Sequence, residues 1–355
     1  MREPPAPRQP STISLQPPAM NPARRLQPFL TVARLTTVEV LRQPIALMLA
    51  LCAVVLTALV PLTLMHNFGE DGRLVRDSAL AIHFFFGLFF AGYAASAALA
   101  RELRGGTAAA VLSTPVSREV FFLAKFAGVA AAVLAFSACA ALATLLSERV
   151  AERFVATAQL TGYVTDWQTG KLLLAAPAAA CLAAALRNYR ARRPFGSTAF
   201  GLLFSAEGLV LLVAGCFDRT GQWAPYHWLV QWRILPVSFL IAVALVVLAA
   251  IAITLSTRLP TAPTVAICSA LFAVGLVSDY LLGQHAGDTP AVGVLYGVVP
   301  NWQHFWLADA LRAGGSVPPS YVVRAVGYAA AYAAAVLCIG MLLFRHGEIR
   351  TTPQV

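Results

Sequence analysis

The chain has 355 residues, of which 59% are hydrophobic and only 12% charged, with a formal net charge of +10. A soluble domain carries about a quarter charged residues, so the composition excludes an ordinary soluble fold and points to a membrane protein. Nucleic-acid binding is not indicated, because the basic residues flank apolar runs instead of gathering in one stripe.

In chain order, residues 1–27 are rich in proline (Pro4, Pro5, Pro7, Pro10, Pro17, Pro18, Pro22) and lack the apolar core of a secretory signal. They are expected to form a disordered cytoplasmic tail. Residues 28–43 read as an amphipathic helix lying along the cytoplasmic surface, with Leu30, Ala33, Val38 and Leu41 on one face. The alternative is an extension of the first span kinked at Pro44.

A hydrocarbon core needs about 20 apolar residues in helical form, which predicts spans over 44–65, 79–100, 122–146, 236–257, 264–283 and 322–344. Two weaker spans follow the third: 171–187, short and holding Pro177, and 196–217, which carries Glu207. The expected fold is an all-α polytopic membrane bundle of eight helices with both termini cytoplasmic. The segments then assigned to the cytoplasm (1–43, 101–125, 187–193, Arg258 and the C-terminus) hold 17 of the 26 Lys and Arg, and the outer segments hold 9. That asymmetry has the sign the positive-inside rule requires. The run RNYRARRP, with Arg187, Arg190, Arg192 and Arg193, would hold the turn between the weaker spans in the cytoplasm. Were 171–217 to stay out of the bilayer, six spans would remain. The connections 147–170, 218–235 and 284–321 are too short for independent cores. In the last, 291–312 is expected to be an outer interfacial segment anchored by Tyr296, Trp302, Phe305 and Trp306, in preference to an aromatic substrate-binding lip. Residues 346–355 complete a cytoplasmic tail.

Motifs for catalysis are missing from this sequence. Gly170-Lys171 is not a P-loop, since Thr165 stands where the first glycine is needed and Leu172 where Ser or Thr is needed. No GxSxG, HExxH or paired intramembrane aspartates occur. The six cysteines lie in or beside apolar runs without ligand spacing, and Met48, Met65 and Met341 do not cluster, so no metal or cofactor site is expected in this chain. Glu207 and His83 are ionisable groups inside predicted spans, and a charge there costs about 2.5–3.5 kcal/mol on insertion scales. For Glu207 a hydrogen bond between helices is favoured over a polar pathway; for His83, a neutral ring satisfied by a neighbouring helix.

The stretch RELRGGTAAAVLSTPVSREVFFLAK, 101–125, is more patterned than a turn requires. Arg101, Glu102 and Arg104 would stop the second span at the cytoplasmic face, and Gly105-Gly106 weaken helix continuation by about 1 kcal/mol each. Thr107–Leu112 can form a short helix; Thr114-Pro115 can start the next, with Glu119 complementing its dipole. A plain topogenic loop would explain the charges but not the glycine pair or Ser113-Thr114-Pro115.

These residues resemble the segment after the second span in ABC-2 type transporter permeases, particularly the NosY-like permeases grouped with multi-copper enzyme maturation systems. The likeness rests on Glu102, Gly106, Thr107, Val111, Leu112, Ser113, Pro115, Val116, Ser117, Arg118 and Lys125. ARLTTVEVLRQPIALMLAL looks like the family's opening helix and first span, and ITLSTRLPTAPTVAI like a later join. It covers 28–146 and 236–345, with 171–217 looking like an inserted pair.

The resemblance implies a type V exporter-like transmembrane subunit of an ATP-driven transporter in a bacterial inner (cytoplasmic) membrane. It implies no catalysis in this chain, with ATP and Mg²⁺ bound by a separate ATPase subunit, and a second copy of the permease as partner. Segment 101–118 would be the coupling helix, with Glu102, Gly106, Thr107, Leu112, Ser113, Pro115 and Arg118 contacting the ATPase. The first span and 236–257 would supply part of the face between two copies. The alternatives are a secondary transporter or channel, which should show inverted repeats with broken midplane helices, and a membrane-embedded enzyme, which needs clustered polar residues at one depth. Neither signature is found in the sequence.

Overall fold

The computed structural model describes residues 22–63, 72–104, 117–156, 161–226, 228–285, 287 and 289–345. The tails 1–21 and 346–355, and Gly106, Thr107, Leu112, Ser113 and Pro115 of the expected coupling segment, lie outside the described residues.

The described chain is a helical bundle with one small hairpin. Helices α1 (Pro22–Leu41), α2 (Pro44–Thr63), α3 (Arg73–Arg104) and α4 (Arg118–Val150) come first. Antiparallel strands β1 (Arg153–Ala156) and β2 (Thr161–Val164) lead into α5 (Trp167–Ala191) and α6 (Phe195–Ala214). Then follow α7 (Ile234–Leu255), α8 (Thr261–Leu276), the one-turn α9 (Ser278–Leu281), α10 (Pro290–Val298) and α11 (Pro319–Arg345). Seven of these are long and apolar enough to cross a membrane, and the bent pair Thr261–Leu276 with Ser278–His285 raises the number to eight.

Helix α7 is the axis of the bundle. It holds no charged residue, and 72% of its apolar window is buried, against 17% for α11. A helix hydrophobic all round belongs inside, and α7 is walled by α3, α4, α8 and α11.

Pro44 separates α1 from α2. Helix α1 ends at Leu41 and α2 begins at Pro44, where the missing N–H costs nothing. The face of α1 that packs on the bundle is built from small and hydroxyl residues. Thr36 and Val40 are buried, while Leu30 and Leu35 stand more than 60% exposed. The reason is close packing on α4: a Cβ on Gly128 would lie 2.4 Å from the Ala33 carbonyl oxygen, and Thr37 Oγ1 donates to the Gly128 carbonyl at 3.0 Å. Small and hydroxyl residues let two backbones approach in this way.

The expected continuous span over 264–283 is broken, with a 64° bend after Leu276. Segment 300–303 wedges into the break. The Pro300 carbonyl oxygen and the Trp302 ring lie within 2.5 Å of where a Gly275 Cβ would sit, so only glycine fits there. Gln303 Nε2 donates to the Leu276 carbonyl (2.8 Å), an acceptor that a continuing helix would have used, and Trp302 Nε1 donates to the Leu271 carbonyl (3.3 Å) one turn earlier. Trp302 and Phe305 are thus fully buried and do not anchor at an interface. The exposed apolar residues of that region are Val294, Leu295 and Val298 on α10.

The first of the weaker spans is longer than hydropathy indicates, while the second, Phe195–Ala214, ends three residues earlier than expected. Asp166 caps α5 through the Thr169 amide (2.9 Å), so the helix starts before its apolar run and reaches Ala191 with Pro177 inside it. Its 25 residues measure about 37 Å.

Candidate functional site

Three groups of residues are candidates: the ends of α3 and α4, the buried polar groups of α3 and α6, and a charge cluster at the opposite end of the bundle.

Helices α3 and α4 have 32 and 33 residues. At 1.5 Å per residue each is about 48–50 Å long, well beyond a hydrocarbon core of about 30 Å. Their joined ends flank the expected coupling segment. Glu102 lies in the last turn of α3. On the far side α4 starts at Arg118, capped by Ser117, whose hydroxyl accepts from the Val120 amide (3.3 Å), and not at Thr114-Pro115. Arg118 Nη1 donates to the Arg345 carbonyl at 3.3 Å, and Arg258 Nη2 to that of Leu343 at 3.2 Å, so two arginines close the C-terminus of α11, where cations are favoured. Two turns further, Lys125 is buried, lies 3.8 Å from Glu39 of α1 and sits over the Phe121 ring. At this end the first helix is therefore tied to the start of α4.

Glu207 and His83 are both buried, Glu207 completely. Neither carboxylate oxygen of Glu207 nor either ring nitrogen of His83 has a hydrogen-bond partner among the described residues, unlike the interhelical bonds expected for them. Glu207 lies within electrostatic reach of Cys139 of α4, and His83 packs 6.1 Å from the Phe136 ring on the same helix.

The charge cluster was not foreseen. Arg149, at the end of α4, and Asp166, before α5, form an ion pair at 2.9 Å with both side chains fully buried. Arg149 Nη2 also donates to the carbonyls of Ala214 (2.6 Å) and Phe217 (3.0 Å), at the end of α6. Asp166 Oδ2 in turn accepts from the Thr169 hydroxyl at 2.7 Å. One guanidinium thus fastens the outgoing ends of the α5–α6 pair to α4. Beside it Glu148 pairs with Arg153, and Arg219 Nη1 donates to the Ala151 carbonyl at 3.1 Å. Burial, and secondarily the Arg153 charge, pulls the Arg219 pKa down from 12.5 to about 10. The available sequence signal was a set of charges, SERVAER and TDW, at the edges of two apolar runs, but apart from Glu148–Arg153 the partners lie 17 to 68 residues apart.

The long paired helices joined through 105–116 are the feature that the family comparison bears on. Residues 41–205 match the family model described as ABC-2 family transporter protein. The match contains both halves of the α3–α4 pair. It runs through α5 into α6, the pair that looked inserted, and leaves out α7 to α11, where the resemblance was expected to resume. It covers a little under half of the chain. That similarity, together with seven or eight helices long and apolar enough to cross a membrane, is consistent with a multi-pass membrane protein that resembles ABC-2 transporter proteins over this stretch. No curated protein matches the chain.

Proposed function

We propose that the protein is the transmembrane subunit of an ATP-driven ABC-2 exporter, driven by a separate ATPase that grips segment 101–118. The observation that carries this reading is the position of that segment: it joins the ends of the two longest helices, inside the stretch similar to ABC-2 transporter proteins. The motif residues Glu102 to Lys125 favour the NosY-like group, and a second copy of the chain completes the transporter. Closure of the ATPase pair on ATP pushes on the segment, and α3 and α4, each tightly packed on α7, carry that push into the core as rigid bodies. Helix α1 moves with them, because Lys125–Glu39 and the Gly128 contact lock it to α4. No P-loop is present in the sequence, so the energy must come from another chain.

Co-purification tests the proposal. An ATPase encoded beside this permease should be retained by the wild-type chain and lost from a Glu102→Lys, Leu112→Asp double variant that still inserts and folds. Equal retention by both would remove the coupling role of 101–118.

A further inference from the structure

The first turns of α11 border a cleft of about 290 Å³ lined by His304, Tyr321, Arg324, Ala325 and Tyr328. We propose that this cleft binds a phosphate-bearing anion, the headgroup of an anionic phospholipid or a free phosphate.

The cleft lies at the Arg149 end of the bundle, since the other end of α11, at Arg345, meets Arg118. Arg324 is the sixth residue of α11, about 7–8 Å along the helix from its start, a depth that corresponds to the headgroup boundary. It is exposed and makes no ion pair or hydrogen bond among the described residues. A charge placed in a membrane helix without a partner calls for one. The walls around it offer donors. The Tyr328 hydroxyl accepts from the Asn301 amide at 3.4 Å, which leaves its own hydrogen to give, and the His304 ring stands edge-on to Tyr328 at 5.6 Å. Tyr321 spends its hydroxyl on the His304 carbonyl (3.0 Å) and so fixes the loop that forms the far wall.

Carboxylates do not compete for the guanidinium. Asp279, on the neighbouring segment, is taken up by the Tyr296 hydroxyl and the Asn301 amide nitrogen, each at 2.6 Å. A planar guanidinium beside phenol and imidazole donors, with no acid lining the cleft, is the donor set that recognises phosphate bidentately. The volume is near the lower bound of ligand pockets, about 300 Å³, which suits a headgroup better than a larger solute.

The test uses the purified full chain in a neutral detergent and reads the thermal unfolding midpoint against ligand concentration. The probes are dihexanoyl-phosphatidylglycerol, dihexanoyl-phosphatidylcholine and inorganic phosphate. Phosphatidylglycerol should raise the midpoint saturably in the wild type, phosphatidylcholine should not, and Arg324→Gln should weaken the apparent affinity by about tenfold or more. Arg324→Lys should retain part of it. If inorganic phosphate gives the same Arg324-dependent shift, the anion comes from solution; if only phosphatidylglycerol does, it is a lipid headgroup. Tyr328→Phe, which removes one donor, should weaken binding several-fold and carries the test should Arg324→Gln fail to fold. Equal response to both lipids, or titration of the variants like the wild type, overturns the proposal.

Discussion

Two groups of arginines at opposite ends of the bundle are used in opposite ways. At the Arg149 end, where Arg324 is the exposed exception, three guanidinium groups are turned inward: Arg149 holds Asp166 and two carbonyls, Arg76 reaches the Leu311 carbonyl (3.4 Å), and Arg233 donates to Gly314 and Gly315. At the other end Arg187, Arg190, Arg192 and Arg193 are all exposed and form no ion pair among the described residues. The difference follows from the backbone each end must accommodate. Strands, 3₁₀ turns and a broken helix crowd the Arg149 end and leave carbonyls that need donors, which a five-donor side chain supplies. The α5–α6 turn is short, with Arg192 in the left-handed conformation (φ 50°) and Asn188 donating to the Arg193 carbonyl at 2.6 Å, so its arginines are left to solvent. Arg149, Arg76 and Arg233 are spent on architecture, whereas the four arginines of the α5–α6 turn face solvent.

That contrast is broken most directly by deleting one charge at each end. Arg149→Met leaves Asp166 buried without its cation, and removing one partner of a buried pair costs about 3–5 kcal/mol. Arg190→Gln should stay within about 0.5 kcal/mol, as exposed substitutions do. Thermal unfolding in detergent, followed by far-UV circular dichroism, should therefore separate the two variants widely. Adding Asp166→Asn to Arg149→Met should recover part of the loss, because the two sites share one interaction and asparagine still caps a helix. Equal unfolding midpoints for Arg149→Met and Arg190→Gln would mean that the ion pair does not hold α5 and α6 to α4.

A second substitution asks how the exposed-arginine end is held together without such pairs. There the seam between α1 and α4 depends on backbone approach, so Gly128→Val should force the helices apart at a cost of about 1–3 kcal/mol. Protease cleavage within α1 should accelerate in this variant while the Arg149 end stays protected. Unchanged cleavage would show that α1 is held by Lys125–Glu39 alone.

The sequence exposed the helices far better than it exposed these fastenings. Hydropathy is a property of a continuous run, so α2, α3, α4, α7 and α11 were legible, as was the lone oddity of Glu207 in α6. The bend after Leu276 was not, because Ser278 and Asp279 alone do not end an otherwise apolar run and the wedge comes from Trp302, about 25 residues later. The hairpin Arg153–Val164 was hidden for a similar reason: two four-residue strands are too short for an alternation to stand out. Burial of Trp302 and Phe305 reversed the expected anchor, since aromatic composition alone does not distinguish a ring in lipid from a ring in a core. Of the expected coupling residues, only Glu102 and Arg118 fall among the described residues, and they mark where two long helices hand over to the segment between them.

The smallest expected effect lies at the Arg149 end, in the turn that follows α6. Asp218 accepts from the Thr220 amide (2.9 Å), the Thr220 hydroxyl (2.7 Å) and the Gln222 amide (2.9 Å). Slight burial works to raise its pKa, but the hydrogen bonds from Thr220, Gln222 and Gly221 together hold it below the ordinary 3.8. A carboxyl whose folded pKa is depressed contributes stability above its unfolded pKa and loses it as pH falls through the folded value. The turn should therefore be intact at neutral pH and loosen in acid below 3.8. Hydrogen exchange, corrected for its intrinsic pH dependence, should show Thr220 and Gln222 amides losing protection over that range, with Arg149-bonded segments unaffected. Asp218→Asn should flatten the dependence, since asparagine accepts the same bonds without titrating. If the variant keeps the wild-type profile, the Asp218 carboxylate is not the source of the acid sensitivity of this turn.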